Sequence, residues 1–422
     1  MGSRDVILTT GVRLLNIVLG FATSILTARF LGPEGRGHYF FIVTIASTIV
    51  QFSNLGLHSS NTYQVAKDKS LLRGLVANSF WISLLGGGGI AGIVALVIQS
   101  SNWSTETPLV HLWLASALVP SMLFFMLGNN LLVGINRIDV FNAFQVGSNV
   151  LVLLFMGLAG LQGWGVVGFL GANVLAGCLT AAVLLVVLLR YSNKADGFAF
   201  RSKVFSAAFR YAAKVYLASL LAFLVLRSNV FLLKGLTSVD QVGYFSVATQ
   251  LADVLGILPT SVALVLFPNL VQSEAHRRWA TTLRSTAIVG GFMTVACLIA
   301  VVLVEPFVKI AFGSKFLAAV PILLWMLPGV LFLSMSTVIS QYLAAIGFPR
   351  LLLGIWLIAF VVVVSSSEVL IPLYSGTGAA MALSVTYSLV FLMVLWLAWI
   401  TEQRLISSNK FFAEVENHKK AK

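Results

Sequence analysis

The chain has 422 residues, of which 59% are hydrophobic and only 10% charged, and 27 Lys and Arg against 14 Asp and Glu give a formal charge of +13. Soluble domains carry about 25% charged residues, so this composition excludes a soluble globular protein and reads as one polytopic bundle in lipid. The positive charge lies in short loops beside apolar runs, where it sets topology and meets anionic membrane lipid, and no nucleic-acid partner is expected.

Apolar runs of ~20 residues recur from end to end, each long enough to cross the hydrocarbon as a helix. They predict an all-α fold of about 12 transmembrane helices, over residues 6–30, 39–63, 75–98, 109–133, 141–161, 166–189, 215–236, 242–266, 286–304, 322–346, 351–371 and 378–399. Alternate loops hold most of the basic residues: Arg4, then Lys67, Lys69 and Arg73, then Arg137, then Arg190 to Lys214, then Arg277, Arg278 and Arg284, then Arg350, then the tail. The opposite loops hold Arg29, Arg36, Lys234, Lys309 and Lys315. This bias places both termini in the cytoplasm. Met1-Gly2-Ser3-Arg4, followed by a full-length span, reads as an uncleaved signal anchor.

The first span has a polar stripe at helical spacing, Thr9, Arg13, Asn16, Gly20, Thr23 and Thr27, so one face is wet. Arg13, about 10 Å in by helical rise, is open to two readings: it faces that wet side, or it snorkels to the surface. The loop from Leu31 to Gly37 is expected to be a tight glycine-proline turn. Beyond it, Thr44, Thr48, Gln51, Asn54, His58 and Asn61 line one side of the second span, with His58 read as packing rather than as a proton relay. Gly86 to Gly89, deep in the third span, predict a close backbone approach or a hinge. The loop from Gln99 to His111, with Glu106, is read as external.

Asn129, Asn130, Asn142, Gln145, Asn149 and Asn173 continue the polar theme, and a basic loop near Tyr191 to Lys214 follows. The seventh span then carries Arg227 near its midpoint, with Asn229 beside it. A mid-membrane arginine costs roughly 2.5–3.5 kcal/mol on insertion scales, so it is kept where protein, water or ligand solvates it. Arg227 is therefore expected to line a wet cavity. The eighth span stacks Ser246, Thr249, Asp253 and Thr260, and Pro259 and Pro268 should bend its inner half. Pairing of Arg227 with Asp253 is the competing structural reading. Ser334, Ser336, Thr337, Ser340 and Gln341 mark the tenth span, Glu368 lies near the outer end of the eleventh, and the tail after Trp399 is expected to fray. Cys178 and Cys297 both fall within spans, and no metal or cofactor motif is present.

The halves look related. Glu34-Gly35-Arg36-Gly37-His38-Tyr39 lays on Asp240-Gln241-Val242-Gly243-Tyr244-Phe245, and the turn Gly134 to Arg137 answers Ile346 to Arg350. Six spans in each half start both on the same side, which implies a parallel repeat with a pseudo-two-fold axis along the membrane normal. The expected organisation is a six-helix bundle at 1–190, a basic cytoplasmic linker at 191–210, a second six-helix bundle at 211–399 and a cytoplasmic tail at 400–422.

Polar stripes, mid-membrane charges of both signs and a two-fold repeat describe a transporter with a central cavity rather than an enzyme. A membrane-embedded glycan polymerase or acyltransferase would need convergent acid, base or nucleophilic groups beside a large external loop, and neither stands out in the sequence.

The run Thr27 to Tyr39, the segment Asp240 to Tyr244 and the turn Gly134 to Arg137 resemble Wzx-type polysaccharide repeat-unit flippases, of the superfamily that includes multidrug-and-toxin extruders and lipid II flippases. Lipid II flippases usually have two further C-terminal helices, which this chain lacks, and toxin extruders depend on embedded acidic residues in the first half, where this chain offers Arg13. The resemblance implies transfer of an undecaprenyl-pyrophosphate-linked oligosaccharide from the inner to the outer leaflet, for O-antigen, capsule or exopolysaccharide assembly. A polymerase and a chain-length regulator would be its partners, and a cation-coupled multidrug extruder is the alternative. Guanidinium groups suit pyrophosphate and polar side chains suit sugar hydroxyls. Arg13, Asn16, Gln51, Arg227 and Asn229 form the candidate cargo set, Asp253 and Glu368 are candidate coupling-ion or charge-pair groups, and the lipid tail is expected to stay in the bilayer.

Overall fold

The computed structural model describes residues 3–100, 107–192, 197–347 and 351–420. Glu106, Lys194, the Phe348-Pro349-Arg350 part of the expected turn and Lys422 lie outside them. Regular structure among the described residues is helical throughout, with thirteen α-helices: α1 (Ser3–Asn54), α2 (Leu57–Lys67), α3 (Leu72–Trp81), α4 (Gly88–Gln99), α5 (Leu109–Gly134), α6 (Ile138–Leu161), α7 (Gly165–Tyr191), α8 (Ser202–Leu236), α9 (Val239–Leu255), α10 (Ile257–Gln272), α11 (Ala275–Ala311), α12 (Ala319–Ala345) and α13 (Leu351–Lys420).

Ten stretches among the described residues are long and apolar enough to cross a membrane. Two of them, Gly11–Asn54 and Leu351–Leu405, run to 44 and 55 residues. At 1.5 Å per residue these are about 66 and 82 Å, over twice a ~30 Å hydrocarbon core. Each is broken once, at Gly32 (φ 67°, ψ −176°) and at Ser375 (φ 51°, ψ −129°). A methyl on Gly378 would collide with the carbonyl of Leu370, residues that a straight helix would hold about 12 Å apart, so the chain doubles back there. Counting each broken helix as two crossings restores the expected twelve.

The first turn is shorter than its glycines and proline suggest. Only Gly32 leaves helical geometry, and Pro33 re-enters it at the first helical position, where a missing N–H is harmless and φ is already set. Glu34 to Gly37 are thus the opening turn of the next crossing rather than a loop. That crossing stops at Asn54, because Leu55 (φ 49°) and Gly56 (φ 73°) adopt left-handed geometry, and α2 completes it. In the second half the equivalent crossing is likewise in two pieces, α9 and α10, parted at Gly256.

Between α3 and α4 the backbone widens into a π turn over Ile82–Gly87, where consecutive glycines give the α-helix least support. A methyl on Gly87 would lie 2.9 Å from Leu123, and one on Gly88 3.4 Å from Pro120. The glycine run is therefore a close approach to α5.

Packing divides the chain into two units, Met1–Val247 with Val308–Leu317, and Ala248–Phe307 with Ala318–Lys422. Burial in the first unit centres on Val65, Leu75, Phe124, Leu131 and Leu188, with a second cluster at Met156, Ala159 and Phe169. In the second unit α12 lies against α13, where the Gly329 N–H donates to Ser384 Oγ at 3.2 Å. Nearer the C-terminal end the buried Tyr342 hydroxyl donates to Glu402 Oε2 at 2.5 Å. A buried carboxylate that loses such a donor costs about 1–3 kcal/mol. Tyr342→Phe is accordingly expected to lower the thermal unfolding midpoint of the purified protein, and an unchanged midpoint would show that Glu402 draws its stability from elsewhere.

Candidate functional site

Within the first unit, α8 runs antiparallel to the 33–54 limb of α1. The Tyr216 hydroxyl donates to the carbonyls of Gln51 (3.0 Å) and Phe52 (2.9 Å), and the rings of Phe231 and Phe41 meet at 6.0 Å. Arg227 stands between these two contacts, near the middle of the span Tyr216–Leu236, and is half-buried. No hydrogen bond or ion pair with a described residue of its own unit engages it. Asn229 is wholly buried and bonded within the protein. Gln51 is half-buried, with its backbone committed to Tyr216.

Asn16 accepts a hydrogen bond from Asn149 Nδ2 at 2.9 Å, which ties the first limb of α1 to α6. Arg13, one turn earlier, is exposed. The structure thus brings Gln51 and α8 together, whereas Asn16 is tied to α6. In the second unit Asp253 is exposed in the last turn of α9, just before the break at Gly256, and takes part in an interaction. Glu368 is exposed on α13 beside the buried Ser367. His58 is bonded to Asn54 across one turn, at 2.8 Å between Nδ1 and Nδ2, as a packing residue would be.

The residue that sequence reasoning missed is Arg36. It is only 4% exposed, and its Nε donates to Ser246 Oγ at 2.6 Å. Nη1 donates to Thr27 Oγ1 at 2.9 Å and to the Ser24 carbonyl, and Nη2 to Ser24 Oγ at 2.8 Å, while the guanidinium lies 5.7 Å from the centre of the Phe312 ring. Arg29 caps the C-terminus of α11, donating from Nε to Ala311 O at 2.9 Å and from Nη2 to Ile310 O. Cations suit a helix C-terminus, whose last carbonyls lack partners. The signal available was a serine and a threonine, Ser24 and Thr27, two to three turns before an arginine held between glycines.

At the same place the two repeats touch through their matching glycines. A methyl on Gly37 would collide with the carbonyl of Val239, and one on Gly243 with the carbonyl of Pro33. In the sequence correspondence Gly37 answers Gly243 and Pro33 answers Val239, so each half presents the same patch to the other, as a two-fold axis requires. The matched carboxylates Glu34 and Asp240, with His38 and Ser238, line a cavity of about 400 Å³ there.

The sequence matches the family model "Polysaccharide biosynthesis protein" over residues 3–274. A search of curated protein sequences finds no match. Among solved structures the fold resembles "Lipid II flippase MurJ, inward closed conformation", with a TM-score of 0.75 at 14% identity, covering 96% of this chain and 91% of that one. It resembles an inward-facing multidrug resistance MATE family transporter of the MOP superfamily with a TM-score of 0.74 at 16% identity, covering 93% and 96%. A MOP superfamily transporter from Pyrococcus furiosus gives 0.65 at 14% identity, covering 93% of each chain. Matched over residues 3–274, and folded like the MOP superfamily transporters, the chain belongs to the polysaccharide biosynthesis protein family.

Proposed function

We propose that this protein is a membrane flippase that carries an undecaprenyl-pyrophosphate-linked oligosaccharide repeat unit from the inner to the outer leaflet of the cytoplasmic membrane, with both termini inside. The observation that carries this reading is Arg227, a half-buried guanidinium near the middle of an apolar span, with no ion pair among the described residues of its own unit. A charge kept at that cost has a use, and a pyrophosphate is matched to it in sign and geometry. Family membership and the MOP fold support transport rather than catalysis.

On this reading the repeats at 1–190 and 211–399 rock about their shared axis, joined by the linker 191–210 and trailed by the tail 400–422. Arg227 takes the pyrophosphate, with Arg13 as a second cation, while Gln51 and Asn16 meet the sugar and the buried Asn229 holds α8 in place. Two negative charges moving outward, down an inside-negative potential, gain about 4–5 kcal/mol at 100 mV, from ~2.3 per charge. Export then runs without a cation. Asp253, and after it Glu368, would carry one in a coupled transporter. The product feeds a polymerase and chain-length regulator of O-antigen, capsule or exopolysaccharide.

Arg227→Met should insert and unfold normally yet lower transfer of labelled lipid-linked glycan in proteoliposomes by about ten- to a hundredfold, the equivalent of one charge-assisted contact. Normal transfer would remove Arg227 from the cargo site.

A further inference from the structure

The second unit contains a groove that no transport step above uses. It has a volume of about 870 Å³ and runs between α10 and the first half of α11. From α10 and the residues before it come Val254, Leu258, Val262 and Val265, and from α11 Phe292, Met293 and Ala296. The positions from Val254 to Val265 recur every three or four residues, and on α11 Thr281, Ser285, Phe292 and Ala296 fall four, seven and four apart, so each side turns one stripe to the groove. From Val254 to Asn269 the groove is about 22 Å long by helical rise, more than one leaflet of a ~30 Å core.

The two ends of the groove differ. Asn269, Thr281 and Ser285 line the end beside the α10–α11 turn. Arg278 precedes Thr281 by one turn on the same stripe, with Nε on the Ser273 carbonyl at 3.0 Å, and Arg277 and Arg284 flank it, both exposed. The other end is closed by aliphatic and aromatic side chains alone. Ser261 alone interrupts the apolar wall. Although Glu274 pairs with Arg277 at 3.7 Å, Arg278 and Arg284 stand within a turn of Thr281 and Ser285 at one mouth, an arrangement that fits a single molecule with an anionic head and a long hydrocarbon tail.

We infer that this groove seats the isoprenoid tail of the cargo's carrier lipid, with the phosphate end at Arg278 and Arg284. The assignment rests on the proposed flippase activity for the identity of the lipid. Charge complementarity and amphipathic shape argue for the site itself. A seat of this kind holds the carrier lipid against the second unit before its phosphate is taken up at Arg227.

The test uses the full-length protein in nanodiscs and a diazirine-bearing long-chain polyprenyl phosphate. Photolysis should label peptides from 254–296, and a tenfold excess of unlabelled polyprenyl phosphate should abolish the label while phosphatidylglycerol should not. Ala296→Trp and Val262→Trp, which fill the groove from opposite walls, should each lower the labelling by about tenfold at an unchanged unfolding midpoint. Equal competition by phosphatidylglycerol would make the groove an ordinary bilayer-lipid seat and overturn the assignment, as would labelling confined to other segments. Labelling is measured without transport. Persistent label with Arg227→Met at full export would therefore sink the flippase reading of Arg227 and leave the groove standing, and the reverse pattern would sink only the groove.

Discussion

Alanine at Gly37 or at Gly243 is expected to abolish export and to destabilise the protein by about 3 kcal/mol or more, at the upper end of overpacking effects. The reason is positional. At each site a β-carbon would fall on a backbone carbonyl of the opposite repeat, Val239 for Gly37 and Pro33 for Gly243, and a carbonyl in a helical turn cannot step aside as a side-chain tip can. The two substitutions strike one contact from its two sides, so the double variant should be little worse than either single one. Gly89→Ala is the control, since a methyl there meets nothing within 4 Å and alanine is the better helix former. Unfolding midpoints and export of the four variants decide the matter. Wild-type behaviour of Gly37→Ala would mean that the turns part readily and are not held at this crossing.

Arg36→Gln should be the next most damaging change. The guanidinium serves two serine hydroxyls, a threonine hydroxyl and a main-chain carbonyl from a buried position, and a hydrogen bond to a charged group is worth about 1.5–3 kcal/mol. Arg36→Lys should rescue little, because an ammonium cannot present the planar fork that reaches Ser24, Thr27 and Ser246 together. The loss should appear as reduced protein in the membrane and a lowered unfolding midpoint. Ser246→Ala in the Arg36→Gln background should add almost nothing, as expected of partners in one network. Full abundance of Arg36→Gln would show that water replaces the guanidinium.

Much of the fold can be read from the sequence because lipid imposes a simple rule of one apolar run per crossing. The repeat was also visible, in Gly37 and Gly243, before any coordinate showed why those residues have to be glycine. Helix breaks were harder to see. Leu55 and Ser375 adopt left-handed φ without being glycine, so tertiary packing rather than local propensity places them. The candidate site was legible as a set of costly polar residues, and much less so as a geometry. Asn16 turns out to bond Asn149, and Asn229 is wholly enclosed. By sequence alone Arg29, Arg36 and Lys234 read only as loop charges on the basic-poor side. Arg36 and Lys234 are buried, and Arg29 caps a helix; such structural work explains why cations persist where topology disfavours them.

The segment Val308–Leu317 belongs to the first packing unit although it follows Val247 by some sixty residues of chain. Arg29 on the end of α11, Phe21 against Phe312 at 5.7 Å and Tyr244 against Phe316 at 6.1 Å hold it there. During synthesis, then, the amino-terminal portion remains unfinished until the ribosome has passed Leu317, roughly 4–14 s after Val247 at 5–20 residues per second. Over that interval a nascent chain already threaded into the bilayer shows the insertion machinery an open apolar face, which a later stretch of the same polypeptide covers.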